Sequence, residues 1–252
     1  MSDHDYRTAL VTGASRGVGA ATVRALAKRG YRVTALARDP EALEILAQET
    51  GCEVLPLDVT DQPAVAAALA VREVDVLVNN AGMISAVKPF VELSMEDVNR
   101  QISVNLLGLI AVTHALLPGM VARRRGHLFT VTSLIGLSPF PNASIYAAAK
   151  AGVHAFGEVL RLELAGSNVR LTEIAPGRIE TEIYLEAMGG DQRRLQENLF
   201  QRYRALQPED VAAAIVAALA LPPQADASLI VLSPTDQAVG GSVYAERRDR
   251  DA

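Results

Sequence analysis

The feature that most constrains this chain is a regular alternation. Short apolar, β-branched runs recur along the sequence, and longer stretches with helical spacing of apolar residues lie between them. Strands that are apolar on both faces must be covered on both faces, and helices joining such strands in succession do the covering. The pattern predicts an α/β fold, a doubly wound, Rossmann-like parallel sheet of about seven strands flanked by helices. The strands read as Thr8–Thr12, Arg32–Ala37, Glu53–Leu57, Val74–Val78, His127–Thr132, Val169–Ile174 and Leu229–Leu232. Helices are expected over about Val18–Arg29, closed by Gly30, and after the Asp39-Pro40 start signal. Two more run over Met95–Arg123, kinked or ended early by Pro118, and over Ser144–Ala165. No internal repeat and no Ser/Gly/Pro linker divides the 252 residues, so 1–252 reads as one domain. The charged, loosely helical stretch Thr181–Ala205 looks like an insertion or lid, bounded near 178 and 206. The tail Glu246–Ala252 is a charge run and reads as a frayed, solvated end.

Composition removes several function classes. Half the residues are hydrophobic and 21% are charged, enough for a sizeable core and too apolar for disorder. A net charge of −5, 4% aromatics and no Trp argue against a nucleic-acid or anionic-membrane partner. The single cysteine, Cys52, excludes an internal disulfide and a cysteine-built metal site, and reads as a buried filler beside the third strand. His4, His114, His127 and His154 share no metal-ligand spacing, so no metal is expected and packing or surface roles are the default. Arg123–Arg125 is too short a charge run for a nucleic-acid claim. No uninterrupted apolar run approaches the roughly 18 residues of a membrane span. The opening Met-Ser-Asp-His-Asp carries no export signal. A soluble protein of a reducing compartment, the cytoplasm, is the expectation.

The first strand runs into Thr12-Gly13-Ala14-Ser15-Arg16-Gly17-Val18-Gly19 and then a helix. Glycines there let the backbone turn sharply and approach a pyrophosphate held at the helix N-terminus. An NAD site would place an acid at the end of the second strand to take the ribose hydroxyls. This strand ends Leu36-Ala37-Arg38, and Asp39, with Pro40 behind it, reads more simply as a helix cap. Arg16 and Arg38 can reach the same ribose region, where a guanidinium pair suits a 2′-phosphate. NADP(H) is therefore the expected cofactor, against the alternative that both arginines are only solvated surface groups.

Tyr146 and Lys150 form Tyr-x-x-x-Lys, an i, i+4 pair on one face of a helix. A phenol with a pKa near 10 is a poor base at neutral pH, and a nearby ammonium is expected to lower that value. When protonated, the same phenol can hand its proton to a carbonyl oxygen. The chain has three lysines against 21 arginines, so Lys150 in an alanine-rich turn stands out. Ser133 ends the fifth strand at the edge where open α/β sheets bind ligands, and can hold a substrate oxygen and the tyrosine proton in register. Asn105 is polar in an apolar helix. It either bonds its own backbone or holds a water or a helix distortion that passes protons from Lys150.

Taken together, the chain resembles the short-chain dehydrogenase/reductase family in its single-domain branch. The shared motifs are Thr12–Gly19, Asp58-Val59, Asn79-Asn80-Ala81-Gly82, Asn105, Ser133, Tyr146 with Lys150, and Pro176-Gly177 followed by Thr181. The resemblance implies that Asn105, Ser133, Tyr146 and Lys150 are catalytic. It implies a cofactor site built from Gly13, Ser15, Arg16, Gly17, Val18, Gly19, Arg38, Asp58, Val59, Asn79, Ala81, Gly82, Tyr146, Lys150, Pro176, Gly177, Ile179 and Thr181. Within it Asp58 and Val59 bracket the adenine, Asn79 to Gly82 also steady the sheet, Lys150 bonds the nicotinamide ribose, and Ile179 and Thr181 meet the carboxamide. A homotetramer, with the helices Met95–Arg123 and Ser144–Ala165 at an interface, is also implied.

The stretches Leu206–Asp210 and Ser233–Gln237 are similar to a subgroup that acts on 3-hydroxy acids and serine and includes aldehyde reductases of β-lactam biosynthesis. Arg178, after Pro176-Gly177, either neutralises a substrate carboxylate or pairs with Glu180 or Glu182. The expected activity is NADPH-dependent reduction of a small aldehyde or ketone, reversibly. The alternatives are oxidation of a 3-hydroxy acid or serine-like substrate, imine reduction, or a non-catalytic NADP(H) sensor.

Overall fold

In the computed structural model, which describes residues 6–200 and 204–237, seven strands form one parallel sheet. They are β1 (Thr8–Thr12), β2 (Arg32–Ala37), β3 (Glu53–Pro56), β4 (Val76–Asn79), β5 (Gly126–Val131), β6 (Val169–Pro176) and β7 (Leu229–Leu232). Their order across the sheet is β3-β2-β1-β4-β5-β6-β7. Winding reverses between β1 and β4, so a crevice opens at the C-terminal ends of these two neighbours.

Consecutive strand residues alternate between two core layers, as the period of two requires. Val11, Val78, Phe129 and Ile174 face one layer. Leu10, Leu77, Leu128 and Leu171 face the other. The first layer is covered by α1 (Gly17–Ala27), α2 (Pro40–Thr50) and a C-terminal helix, Pro208–Leu219, through Val23, Leu26, Leu43, Leu46, Val211 and Ile215. The second is covered by α3 (Gln62–Leu69), by the long helical run from Met95 and by the helix Ser144–Glu163, through Val65, Leu69, Val112, Leu116, Met120 and Leu160. Each such side chain, fully buried, contributes about 1.5–3 kcal/mol relative to exposure.

Local signals set most helix starts. Asp39 accepts from the Ala42 amide at 3.1 Å with Pro40 in the first turn, and Asp61 does the same for Ala64. The long run divides into α4 (Met95–Ile102), a π-turn (Ser103–Leu107) and α5 (Gly108–Ala122). Ser94 and Asp97 close a reciprocal capping box at its start. Pro118 sits inside α5 without ending it, so the irregularity falls at the π-turn and not at the proline. Met95–Ala122 as a whole is long and apolar enough to span a bilayer by composition, but its Leu109, Val112, Leu116 and Met120 are buried.

A four-residue helix, α6 (Leu134–Leu137), precedes α7 (Ser144–Glu163); α8 (Gln192–Leu195) lies in the 178–206 segment, and α9 is Pro208–Leu219. Strand 4 begins two residues later than expected and ends one later, at Asn79. The helices α3 and α9 carry no predicted counterpart. Their alanine-rich sequences give little contrast between faces, since alanine is compatible with either. The tail Glu246–Ala252 and His4 lie outside the described residues.

Candidate active site

The glycine turn is locked to the end of β4. Gly13 has φ +64°, and a Cβ on Gly19 would stand 2.1 Å from the Gly13 carbonyl oxygen, so helix and turn touch backbone to backbone. Asn80 donates to the carbonyls of Thr12 and Gly13 at 3.0 and 3.3 Å. The Thr12 hydroxyl accepts from the amides of Asn80 and Ala81, both at 3.0 Å. Asn79 faces the opposite way, donating to the Thr113 hydroxyl of α5 at 2.9 Å. Of the two asparagines, Asn80 therefore braces the turn, and Asn79 ties the end of β4 to α5, in keeping with the expectation that this stretch steadies the sheet. Strand alternation could have separated them, had the end of β4 been known.

A pyrophosphate fits this turn. The N-terminus of α1 has no side-chain cap and no acid in its first turn, whereas α2, α3 and α4 are capped by Asp39, Asp61 and Ser94. Its outward amides and dipole favour an anion. Arg16 and Arg38 are both exposed at the same end of the sheet. Arg16 lies 3.2 Å from Glu182, and Arg38 lies 3.8 Å from Asp58. Exposed pairs like these are worth about 0–1 kcal/mol, so a phosphate dianion can displace them. Asp39 is spent on the α2 cap, and Ala37 is buried. Asp58 accepts from the amide and hydroxyl of Thr60, while Val59 packs beneath it against Gly108.

Tyr146 and Lys150 are buried one turn apart on α7, with Nζ 5.7 Å from the centre of the tyrosine ring. Lys150 donates to the Val131 carbonyl at 2.9 Å. Ser133 caps α6, accepting from the Ile135 amide at 3.3 Å, and lies beside the Tyr146 phenol. Gly136 makes this approach possible: a Cβ there would stand 2.9 Å from the Lys150 backbone. Burial pushes the Tyr146 phenol well above its ordinary value, Tyr184 adds to the rise, and the Ser133 hydroxyl opposes it. Desolvation is the largest of these influences. Burial also lowers Lys150 to about 8, against the pull of the Glu173 carboxylate.

Asn105 is fully buried in the π-turn. Its amide donates to the carbonyls of Met83 and Gln101, each at 2.9 Å, and its oxygen accepts from the Met83 amide at 3.1 Å. Both readings of this residue hold a part: it bonds backbone, and it sits in a helix distortion. A Cβ on Gly82 would lie 3.0 Å from Asn105 Oδ1 and 3.6 Å from Lys150 Nζ, so the three residues meet at one point.

The segment after β6 is closed at its base. The Leu206 amide donates to Arg178 at 2.9 Å, and Glu180 donates to Leu206 at 2.8 Å, with Ile179 and Leu206 bridged. From this base Thr181 reaches over Gly17. Pro176 ends β6, and the Gly177 amide donates to Leu232 at 2.7 Å. The Gln237 side chain accepts from the Arg178 amide at 2.9 Å. A narrow cleft beside Tyr146 and Lys150 is lined by Ser133, Ile135, Phe140, Arg178 and Tyr184, among others. Tyr184, in the insertion, and Phe140, in the loop between α6 and α7, were not singled out in the sequence, because nothing local marks which loop residues fold back over the site.

A nucleotide-binding crevice beside a half-buried serine and a buried tyrosine and lysine defines a dehydrogenase of the Rossmann-like class. The profile of the family described as short chain dehydrogenase matches residues 7–188. An uncharacterised short-chain type dehydrogenase/reductase of Sinorhizobium fredii is 41% identical over 94% of this chain and 95% of its own length. An NADP-dependent 3-hydroxy acid dehydrogenase of Salmonella typhi is 36% identical over 92% of this chain and 96% of its own. Among solved structures, the closed form of a serine dehydrogenase complexed with NADP+ superposes with a TM-score of 0.87 at 34% identity, covering 96% of this chain and all of that one. The chain belongs to the short-chain dehydrogenase/reductase family and is an oxidoreductase acting between CH–OH and C=O.

Proposed function

We propose that this chain is an NADPH-dependent reductase of a small aldehyde or ketone, acting reversibly. The observation that carries the reading is the Tyr146 phenol, buried on α7 one turn from the buried Lys150 and beside Ser133. When bound, the nicotinamide supplies or accepts the hydride. The chain's own residues do the rest. Ser133 holds the substrate oxygen, Tyr146 gives that oxygen its proton, and Lys150 steadies the charge left on the phenol. Asn105 fixes the helix distortion beside Lys150. In the oxidative direction the proton moves the other way.

NADP(H) as cofactor is supported by the uncapped α1, by Arg16 and Arg38, and by the NADP named for the relatives. Gly13, Ser15, Gly17, Val18, Gly19, Ala81 and Gly82 would then contact the dinucleotide, with Pro176, Gly177, Ile179 and Thr181 at its nicotinamide end. The chain works as one domain, with 178–206 as its substrate lid. Arg178 in the cleft favours a substrate bearing a carboxylate, in keeping with the 3-hydroxy acid and serine named for the relatives. A soluble, cytoplasmic homotetramer completes the reading. Its support is the outward apolar face of α5 and α7, where Leu107, beside α5, Val121, Val159 and Leu162 are exposed.

The test is NADPH consumption against a panel of aldehydes, ketones, 3-oxo acids and imines, with NADH alongside. Turnover with NADPH on a carbonyl supports the reading. NADPH binding without turnover of any panel member would favour a sensor instead.

A further inference from the structure

Glu173 is a carboxylate on β6, only 1% exposed, that no step above uses. Its two oxygens are spoken for by different elements. Oε1 accepts from the Thr132 hydroxyl, which follows β5, at 2.6 Å, and Oε2 pairs with His154 Nδ1 of α7 at 2.7 Å. Thr132 stands between two functional neighbours: Val131, whose carbonyl takes the Lys150 ammonium, and Ser133, which lies beside the Tyr146 phenol. His154 is four residues past Lys150, so both lie on one face of α7. The contacts close a ring, running from Lys150 to Val131, through Thr132 to Glu173, and through His154 back to α7. A buried carboxylate is expensive unless paired and hydrogen-bonded, and this one sits within electrostatic reach of a buried ammonium.

We propose that Glu173 is a positioning residue for the catalytic lysine: from beneath the site it fixes the end of β5 against α7 and supplies the negative charge that keeps the Lys150 ammonium charged. The inference rests on the roles given above to Tyr146 and Lys150. The polar groups that face Glu173 are Lys150 and His154 from α7, its strand partner Thr130 on β5, and Thr132 just past the end of β5; on β7 its strand partner is Leu229. With the carboxylate neutralised, the ammonium loses its proton more readily, and when the oxidised cofactor is bound, whose positive ring would favour the phenolate, the Tyr146 phenol ionises without the neighbouring positive charge of Lys150. The pH at which alcohol oxidation rises must therefore move upward.

The experiment compares the protein with Glu173→Gln and Glu173→Asp, using as probe the alcohol formed from the fastest carbonyl of the panel. Glu173→Gln should raise the midpoint of the pH–kcat profile by about one unit, the size of a single close charge interaction. Glu173→Asp, which keeps the charge, should hold the midpoint near that of the unaltered protein even where kcat falls. NADPH affinity, read by fluorescence titration, should change less than kcat in both. An unmoved midpoint in Glu173→Gln, at any kcat, overturns the proposal, because a merely structural bond lowers rate without shifting ionisation. Should Glu173→Gln not fold, Glu173→Leu with His154→Leu removes both partners of that pair together, so neither is left unpaired in the interior. Thr132 then keeps its bond to the Ile174 carbonyl, and the profile is read in the same way. Tyr146→Phe separates the two levels of inference. Retained turnover there removes the catalytic reading itself, whereas an inactive Tyr146→Phe with an unshifted Glu173→Gln profile removes only the role of Glu173.

Discussion

The Lys150 ammonium stands 5.7 Å from the centre of the Tyr146 ring yet gives its hydrogen bond to the Val131 carbonyl on the strand below. The helix brings the two side chains to one face, and the sheet anchors the lysine. Tyr146 is left free to point its hydroxyl at Ser133 and the cleft. Such an arrangement favours a protonated phenol ready to donate, with a cation at hand to stabilise the phenolate once the proton has gone.

Removal of the phenolic oxygen isolates that function. Tyr146→Phe should reduce kcat by about 10²–10⁴-fold while changing NADPH affinity by less than about twofold, since only the proton donor is lost. Steady-state kinetics beside a fluorescence titration of NADPH checks both halves.

Cofactor choice should depend on the two exposed guanidiniums. Arg16→Ala and Arg38→Ala should each weaken NADPH binding by about tenfold to a hundredfold, the worth of a charge-assisted bond, and leave NADH binding unchanged. Glu182→Gln frees Arg16 from its 3.2 Å partner. It should tighten NADPH by up to about fivefold, since an exposed pair is worth no more than about 1 kcal/mol. Titration of both nucleotides against each variant is the measurement.

Stability should carry the signature of Lys150. Its ammonium ionises at about 8 in the folded protein, below its ordinary value of 10.5. Between pH 8 and pH 10 the unfolded chain therefore holds more protons, and stability rises with pH by on the order of 2–3 kcal/mol from this group. Above pH 10 the raised Tyr146 phenol works the other way, because the folded protein keeps that proton longer. Urea midpoints should climb from pH 8 to pH 10 in the unaltered protein, and the climb should flatten in Lys150→Met.

Asn105→Ala strands the Met83 amide and carbonyl and the Gln101 carbonyl, all of which it bonds. A loss of about 2–4 kcal/mol in unfolding free energy is expected from these unpaired groups. Chemical denaturation measures it.

The lining of the cleft gives a test of substrate charge. With Arg178→Ala, kcat/KM for 3-oxo acids should fall by about tenfold or more relative to neutral ketones, the worth of one charge-assisted bond. An unchanged ratio between the two would remove the carboxylate from the proposed substrate.

By itself the sequence determined the parallel sheet, the order of its strands along the chain, the glycine turn and the Asp39 cap, and it singled out Asn105, Ser133, Tyr146 and Lys150 as the candidate set. Each is written in local pattern: a period of two, a capping residue, a fixed spacing, a lysine where arginine is the rule. Tertiary structure decided what depends on packing between distant segments. Asn80, not Asn79, braces the glycine turn because strand alternation gives the two opposite faces at the end of β4. Glu173 reads as an ordinary charge in an apolar strand until Thr132 and His154, 41 and 19 residues away, close around it. The phenol rises and the lysine falls because both are removed from water. Desolvation is a property of everything folded over a side chain, and no spacing along the chain encodes it.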